Sequence, residues 1–182
     1  MKKMSAIKEK IFLLLLAGLS LGFTYSPYRQ WKILKTAAKE WKRIDERKLR
    51  EEIKKLYQTQ LVEMKENPDK SYTLILTEKG KLKALTYHFQ AMKIKKKNWD
   101  GKWRLIVFDI PEKMRRARDA LREKLKELGF YELQKSVFVF PYECKDEIEF
   151  IVEFFNLRQY VRYGVLESID NNLHLRKIFK LI

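Results

Sequence analysis

Apolar residues recur at helical spacing in three stretches of the first 60 residues, which predicts three helices. Ser5 can cap a helix that runs to about Leu16, within an apolar stretch that continues to Phe23. Ser26 and Pro27 open a second helix, whose apolar stripe is Tyr28, Trp31, Leu34, Ala38 and Trp41. A third helix begins after Asp45, with the apolar positions Leu49, Ile53, Leu56 and Tyr57 on one face and basic residues on the outward face.

A β-hairpin and a fourth helix follow the third helix. Two apolar-rich runs, 60–65 and 71–76, flank the turn-forming residues 66–70, and Thr77 can cap a helix that extends to about Gln90. Three helices, a hairpin and a further helix, in that order, predict a winged helix-turn-helix domain in residues 1–90. In that arrangement the third helix enters the major groove of DNA and the hairpin flanks it.

The pattern changes after residue 102. A nearly continuous apolar strand covers residues 103–108, and an amphipathic helix covers about 112–128 and stops at Gly129. One long or two short strands, a helix and a last strand follow, which predicts a ferredoxin-like β-α-β-β-α-β domain if the segment 130–140 supplies two strands. The fold class is therefore α+β, with a ferredoxin-like domain in residues 103–182 that ends in a short terminal helix of unknown docking surface.

The two predicted domains are joined by a lysine-rich segment, residues 91–102, which ends in an Asp100-Gly101 turn and is interpreted as a basic linker. The net charge of the chain is +16, which favours polyanionic partners and nucleic acid above all. Residues 1–100 hold 24 basic and 11 acidic side chains, whereas the remainder holds 16 and 13. The positive charge is therefore concentrated in the predicted winged helix and linker.

The compartment is predicted from the cysteine content and from the apolar stretch near the start. Cys144 is the only cysteine, so an intrachain disulfide and a thiolate zinc site are excluded, which suits the cytoplasm. The basic lead and apolar centre of residues 8–23 resemble a secretory signal. The run of 13 apolar residues is too short to span a bilayer, and a buried core helix explains it equally well. We expect a core helix, no membrane association and a cytoplasmic protein.

Two motifs resemble known families. WRLIVFDIPEKMRRARDALREKLKELGF followed by LQKSVFVFP resembles the ferredoxin-like domain of the CRISPR adaptation nuclease, the second Cas protein, over residues 103–168. It is still more similar to the central domain of the PaaX-type repressors of phenylacetate operons. The segment Leu76-Thr77-Glu78-Lys79-Gly80 at the end of the predicted winged helix also looks like that repressor family. The acyl-CoA effector pocket associated with a third domain of those repressors is not carried over, so the inducer is left open.

Asp109, at the end of the first strand of the predicted ferredoxin-like domain, has two interpretations. The resemblance to the adaptation nucleases implies that it meets its twin across a dimer axis and holds a divalent metal such as Mg²⁺. The spacing of Asp109, Pro111 and Glu112 also fits a capping box at the start of the following helix. No histidine is near in sequence, so the spacing favours the structural cap over catalysis.

Ten basic residues are candidates for DNA contact. Those of the third helix and the hairpin are favoured because they lie in the more basic part of the chain. They are Arg47, Lys48, Arg50, Lys54, Lys55, Lys65 and Lys70. Arg115, Arg116 and Arg118 lie near a helix N-terminus, where positive charge is mildly unfavourable without an anionic partner, but ion pairs with Glu112 and Asp119 explain them equally well.

The resulting hypothesis is a sequence-specific double-stranded DNA-binding transcriptional regulator, a repressor acting as a homodimer through the ferredoxin-like domain. It requires no cofactor. The alternative hypotheses are an Mg²⁺-dependent endonuclease of the CRISPR adaptation type with Asp109 at the dimer axis, and a non-catalytic DNA-bridging counterpart of that nuclease. Operator, regulated genes and inducer cannot be read from the sequence.

Overall fold

The structure is a computed structural model of the 182-residue chain. It describes residues 7, 11, 12, 15, 46–66, 68, 72–96 and 98–181. The chain divides into two compact units, Met1–Ala91 and Met92–Ile182, and each is described by itself.

The first unit contains a helix, a hairpin and a second helix in its described part. Helix α1 spans Glu46–Gln58, strands β1 and β2 span Val62–Glu66 and Tyr72–Leu76, and helix α2 spans Glu78–Ala91. The two strands are antiparallel, as the sequence predicts. The predicted second helix lies outside the described residues, and of the predicted first helix only four positions are described, all of them helical: Ile7, Ile11, Phe12 and Leu15.

One apolar cluster joins all these elements of the first unit. Ile11 and Phe12 are buried together with residues of α1, both strands and α2, which are Leu56, Val62, Leu76 and Ala84, and with Leu61 between α1 and β1. Ile7 and Leu15 pack against the same cluster. The apolar residues near the start of the chain thus supply part of a core, as the core-helix interpretation predicts.

The described part of the second unit contains four strands and three helices. The strands are β3 Trp103–Phe108, β4 Tyr131–Gln134, β5 Val137–Phe140 and β6 Val161–Leu166. The helices are α3 Arg115–Glu127, α4 Lys145–Phe154 and α5 Asn172–Ile178. Helix α3 ends before Gly129, whose φ of +92° suits a residue without a side chain.

The four strands form one antiparallel sheet in the order β4-β5-β3-β6. In this order β3 is central and lies between β5 and β6, although both follow it in sequence. Together with the element order β-α-β-β-α-β, this arrangement is the ferredoxin-like fold. The second half of the chain is therefore the predicted α+β domain, and residues 130–140 do supply two strands.

The two faces of this sheet are covered differently. Residues of β3 and β5 at alternate positions, Ile106, Phe108, Phe138 and Phe140, are buried, and so are the apolar stripes of α3 and α4. On the opposite face Trp103 and Val139 form a cluster with Leu175 of α5. The indole nitrogen of Trp103 also donates a hydrogen bond to Oδ1 of Asn172, over 3.1 Å. The terminal helix therefore docks on the face that α3 and α4 leave free.

Three details differ from the sequence predictions. The helix predicted to begin at residue 112 starts with a 3₁₀ turn, Glu112–Met114, before the α-helix proper. Tyr57, which was placed on the apolar stripe of its helix, is 54% exposed. In the predicted linker, the ring of Trp99 lies 5.1 Å from that of Trp103, so this part of the segment packs on the second unit.

Two further observations concern the length of the helices and the single cysteine. Within the part of the chain that the structure describes, no helix is long and apolar enough to cross a membrane. Cys144, directly before α4, is fully buried, and burial raises the pKa of its thiol to about 12.

Candidate nucleic-acid interface

Helix α1 has one buried face and one charged face. Leu49, Ile53 and Leu56, at i, i+4 and i+7, pack in the core of the first unit. At 100° per residue, the face opposite this stripe carries Arg47 and Lys54, and both side chains are exposed. The helix therefore presents cations to the outside while its apolar stripe fixes its orientation.

Acidic neighbours neutralise part of this charge. Nε of Arg47 lies 3.7 Å from a carboxylate oxygen of Glu51, and Nζ of Lys55 lies 3.0 Å from one of Glu52. The hydrogen bond from Lys55 to Glu52 raises the pKa of this lysine. Among the described residues, Lys54 has no carboxylate within ion-pair distance, so it is the cation of this face that needs no rearrangement to meet a phosphate.

Of the other residues predicted to contact DNA in the first unit, two are exposed in the structure and two have side chains outside its described part. Lys48 is exposed on α1, and Lys65 is exposed on β1, opposite Thr73 of β2. Arg50 belongs to α1, but its side chain is outside the described residues, and Lys70 is outside them altogether. The outward face of the hairpin thus carries at least one cation, Lys65.

The start of α2 ties the hairpin to the end of α1. The hydroxyl of Thr77 donates to the carbonyl of Gln60, over 2.8 Å, and accepts a hydrogen bond from the amide of Gly80, over 3.0 Å. A Cβ on Gly80 would lie 1.9 Å from the carbonyl oxygen of Leu61, so only glycine fits this contact. Lys79 reaches the carbonyl of Thr59, over 3.3 Å. The Thr77-Glu78-Lys79-Gly80 segment therefore sets how the hairpin stands beside α1.

Asp109 of the second unit does not act as the predicted helix cap. It follows β3, its side chain is exposed, and its amide donates to the carbonyl of Tyr160, over 3.0 Å. The 3₁₀ turn takes Pro111 as its N-cap residue, and neither this turn nor α3 has a side-chain hydrogen bond at its N-cap. The helix begins two residues later than the capping box requires, which leaves the carboxylate of Asp109 free of an ion pair within the described chain.

The three arginines at the start of α3 differ in their partners. Arg118 lies 3.0 Å from Glu112, and Arg115 lies 3.7 Å from Glu112 and 3.6 Å from Asp119. Arg116 is exposed and has no ion pair among the residues described, although the i, i+4 spacing predicted a pair with Glu112. Two of the three predicted cations are thus largely neutralised, and Arg116 is the available one.

The structure adds cations that the sequence analysis did not single out. Lys135 in the β4–β5 turn and Arg162 in β6 are exposed and have no carboxylate partner in the described chain. In the sequence, Arg162 is a charged residue within an apolar strand, and Lys135 is a charged residue between two strands. These two positions were the available signals for exposed cations. The sequence could not show that both residues lie at the same end of the sheet, because this depends on the strand order.

The metal-binding capacity of the described residues is small. They contain no group of three or more His, Cys, Asp and Glu side chains that could hold a metal ion. Asp109 would therefore need ligands from outside this single chain, such as a second aspartate, water or phosphate oxygens.

Comparison with known proteins concerns mainly the second unit. No curated protein matches the chain with significant similarity. Residues 96–175 match the family model described as "PaaX protein central Cas2-like domain". The match covers the ferredoxin-like sheet with α3 and α4, which carry the motifs that predicted this family. Residues 96–175 of the chain are therefore similar in sequence to the PaaX-type central Cas2-like domain.

Proposed function

We propose that the protein is a sequence-specific double-stranded DNA-binding regulator of the PaaX type, which represses transcription as a homodimer in the cytoplasm. The observation that carries this proposal is the first unit, where α1, the β1–β2 hairpin and α2 share one core in the order of a winged helix. The PaaX-type domain in the second half supports the same function.

The proposed mechanism assigns separate tasks to the cations. Lys54, Lys48 and Lys65 neutralise phosphates and release counterions, which supplies affinity and makes it dependent on salt. The exposed face of α1 lies in the major groove, where Arg47 and Arg50 can form bidentate hydrogen bonds with guanine. Because the ion pair of Arg47 with Glu51 is long and exposed, the guanidinium can leave that partner at small cost.

The homodimer in this proposal sets the spacing of the two half-sites. Two copies related by a two-fold axis present two α1 helices, which suits a palindromic operator with half-sites one helical turn or a multiple apart. We assign the dimer contact to the PaaX-type domain.

The test is a duplex-binding assay with the variant R50A/K54A and a matched control. A duplex enriched from a random-sequence pool is titrated across a salt series with the wild-type protein, R50A/K54A and K81A/K83A, which removes two lysines from α2. We expect R50A/K54A to lose roughly 10- to 100-fold in affinity and the control far less, since each base or phosphate contact contributes about 1–3 kcal/mol. Unchanged affinity of R50A/K54A would refute α1 as the reading helix.

A second candidate function is Mg²⁺-dependent cleavage of nucleic acid. The exposed Asp109, without an ion pair within the described residues and placed at the end of β3 in a Cas2-like domain, favours this candidate. The same assay with Mg²⁺ or EDTA, followed by denaturing electrophoresis, tests it. Fragments that require Mg²⁺ and vanish with Asp109→Ala would establish a nuclease, whereas intact duplex in both conditions would exclude the activity on this substrate.

A further inference from the structure

Two cations flank the C-terminal end of β3 in the second unit. Val107 lies opposite Arg162 of β6. On the other side, the amide of Phe108 donates to the carbonyl of Ser136 over 3.1 Å, which brings the β4–β5 turn and its Lys135 to the same end of the sheet. Arg162 and Lys135 are called the strand-end pair below. Since β3 separates β5 from β6 and neighbouring strands lie about 4.8 Å apart, these two strands are about 10 Å from each other, and Lys135 lies two residues before β5.

The guanidinium of Arg162 is oriented by the backbone and not by an acid. Its Nη1 donates to the carbonyls of Arg158, Gln159 and Val161, over 3.3, 3.0 and 3.1 Å. All three hydrogen bonds use this one nitrogen, so Nε and Nη2 keep their donors for an outside acceptor. An arginine whose planar fork is already positioned loses less entropy when it binds a phosphate.

Several other arginines of the second unit pair with carboxylates. Arg158, three-quarters exposed and four residues before Arg162, forms an ion pair with Glu153. Arg115 and Arg118 pair with Glu112. The strand-end pair, in contrast, has no carboxylate within ion-pair distance among the described residues. Its charge is therefore available to a polyanion without breaking an existing ion pair.

We propose that the strand-end pair, Arg162 and Lys135, forms a second contact with the phosphate backbone of DNA, on the PaaX-type domain. This inference rests on the proposed function and extends it, because it gives the second unit a direct share in DNA affinity. The separation of about 10 Å allows each cation to meet a different phosphate. Phosphate contacts of this kind position a protein on the duplex and carry no sequence information themselves.

For Asp109, at the same end of the sheet, we predict the opposite effect on DNA affinity from that of the two cations. Its amide donates to the carbonyl of Tyr160, two residues before Arg162 in the chain, so Asp109 lies at the same end of the sheet as the strand-end pair. A negative charge there repels phosphate. Asp109→Asn is therefore expected to tighten DNA binding roughly twofold to fivefold at low salt.

The experiment measures duplex affinity of the full chain across a salt series for Arg162→Gln, Lys135→Gln and the control Arg158→Gln. Arg162→Gln and Arg158→Gln remove the same charge four residues apart, so a general effect of net charge is equal in both. We expect Arg162→Gln and Lys135→Gln each to weaken binding roughly threefold to tenfold and to reduce the slope of log K against log salt by about 0.9. Arg158→Gln is expected to bind like the wild type, and Arg162→Lys to restore the salt slope.

The outcomes separate this inference from the proposed function. Equal losses in Arg162→Gln and Arg158→Gln, or wild-type affinity of Lys135→Gln, would overturn the strand-end contact. If R50A/K54A loses its affinity while the strand-end variants bind normally, the proposed function stands and only the second contact is refuted. If none of these variants changes the affinity, both proposals fail. Lys135→Gln alters an exposed turn residue that forms no ion pair with any described residue, so its result does not depend on a loss of folding.

Discussion

Arg104 is a buried guanidinium that joins three segments of the second unit. Nη1 and Nη2 donate to the two carboxylate oxygens of Asp100, over 2.6 and 2.7 Å, and Nη2 donates to Glu143, over 3.2 Å. Nη1 also donates to the carbonyls of Lys102 and Pro141. A buried charge is tolerated only with such partners. Arg104 therefore fixes the Asp100-Gly101 turn to the start of α4.

This ion pair predicts a dependence of stability on pH. The hydrogen bond from Arg104 lowers the pKa of Asp100 from 3.8 to about 2, so the ionised carboxylate stabilises the fold above pH 3.8 and this contribution is lost as the pH falls towards 2. Asp100→Asn cannot ionise and should unfold more easily at pH 7, by roughly 1–2 kcal/mol, since Asp100 is half exposed.

Urea unfolding of the wild type and of Asp100→Asn from pH 7 to pH 2.5 measures this dependence. The difference in free energy of unfolding should be full at pH 7 and shrink between about pH 4 and pH 2. Asp109→Asn, which removes an exposed carboxylate without an ion pair, is the control and should leave stability unchanged. A difference that stays constant with pH would contradict the role of the Asp100 charge.

At Gly80, replacing glycine by alanine is expected to lower the stability, although this change usually stabilises a helix. Alanine favours a helix over glycine by about 1 kcal/mol, but a Cβ here would lie 1.9 Å from the backbone oxygen of Leu61. Gly80→Ala is therefore expected to destabilise the first unit by roughly 1–3 kcal/mol, measured by thermal or urea unfolding. Gln90→Ala, on the exposed end of the same helix, should change stability by less than about 0.5 kcal/mol. Equal stability of Gly80→Ala and wild type would show that the helix shifts to accommodate the methyl group.

Single residues were the least predictable part of the chain. The spacing of Asp109 and Glu112 satisfied a capping box, but the structure begins the helix at Pro111, and sequence spacing cannot distinguish the two starts. In the sequence, Arg104 is a charged residue within an otherwise apolar strand, with no indication of a partner. Its role depends on Glu143, which is 39 residues away and reaches it only through the antiparallel pairing of β3 with β5.

At the scale of elements, the start of α2 depends on one hydroxyl. Thr77 satisfies the amide of Gly80 and the carbonyl of Gln60 at once. Thr77→Val keeps the shape and removes both hydrogen bonds, so we expect a loss of roughly 1–2 kcal/mol in unfolding free energy. Thr77→Ser keeps the hydroxyl and should retain most of the stability. A stable Thr77→Val variant would mean that the apolar contacts of α2 alone hold the hairpin in place.

The described elements were largely predictable because each has a strong local pattern. The nearly continuous apolar run of β3 and the apolar stripes of α3 and α4 depend on neighbours within a few residues, and the structure has a strand at 103–108 and a helix that ends before Gly129, as predicted. The prediction that Tyr57 lies on the buried face was wrong, because this residue is 80° around the helix from Leu49, at the edge of that face. The docking of α5 on Trp103 could not be predicted, because a seven-residue helix has too few apolar positions to identify its partner.

At the scale of the whole molecule, each unit has a core of its own. The apolar cluster around Leu56 and Phe12 belongs to the first unit, and the cluster around Trp103 and Val139 to the second. A fragment of residues 92–182 is therefore expected to fold alone and to unfold cooperatively. Near-ultraviolet circular dichroism, which reports the packed Trp99 and Trp103 rings, measures this. A fragment with secondary structure but no near-ultraviolet signal would show that the second unit needs the first.

The single cysteine has a consequence for how the motions of the protein can be followed. Cys144 is fully buried in the second unit, and its thiol, with a pKa of about 12, is almost entirely protonated at neutral pH. Alkylating reagents attack the thiolate, so the folded protein reacts very slowly and modification requires transient opening. The alkylation rate of the natural chain therefore reports how often this unit opens, and its change on adding duplex DNA would show whether a ligand slows that opening.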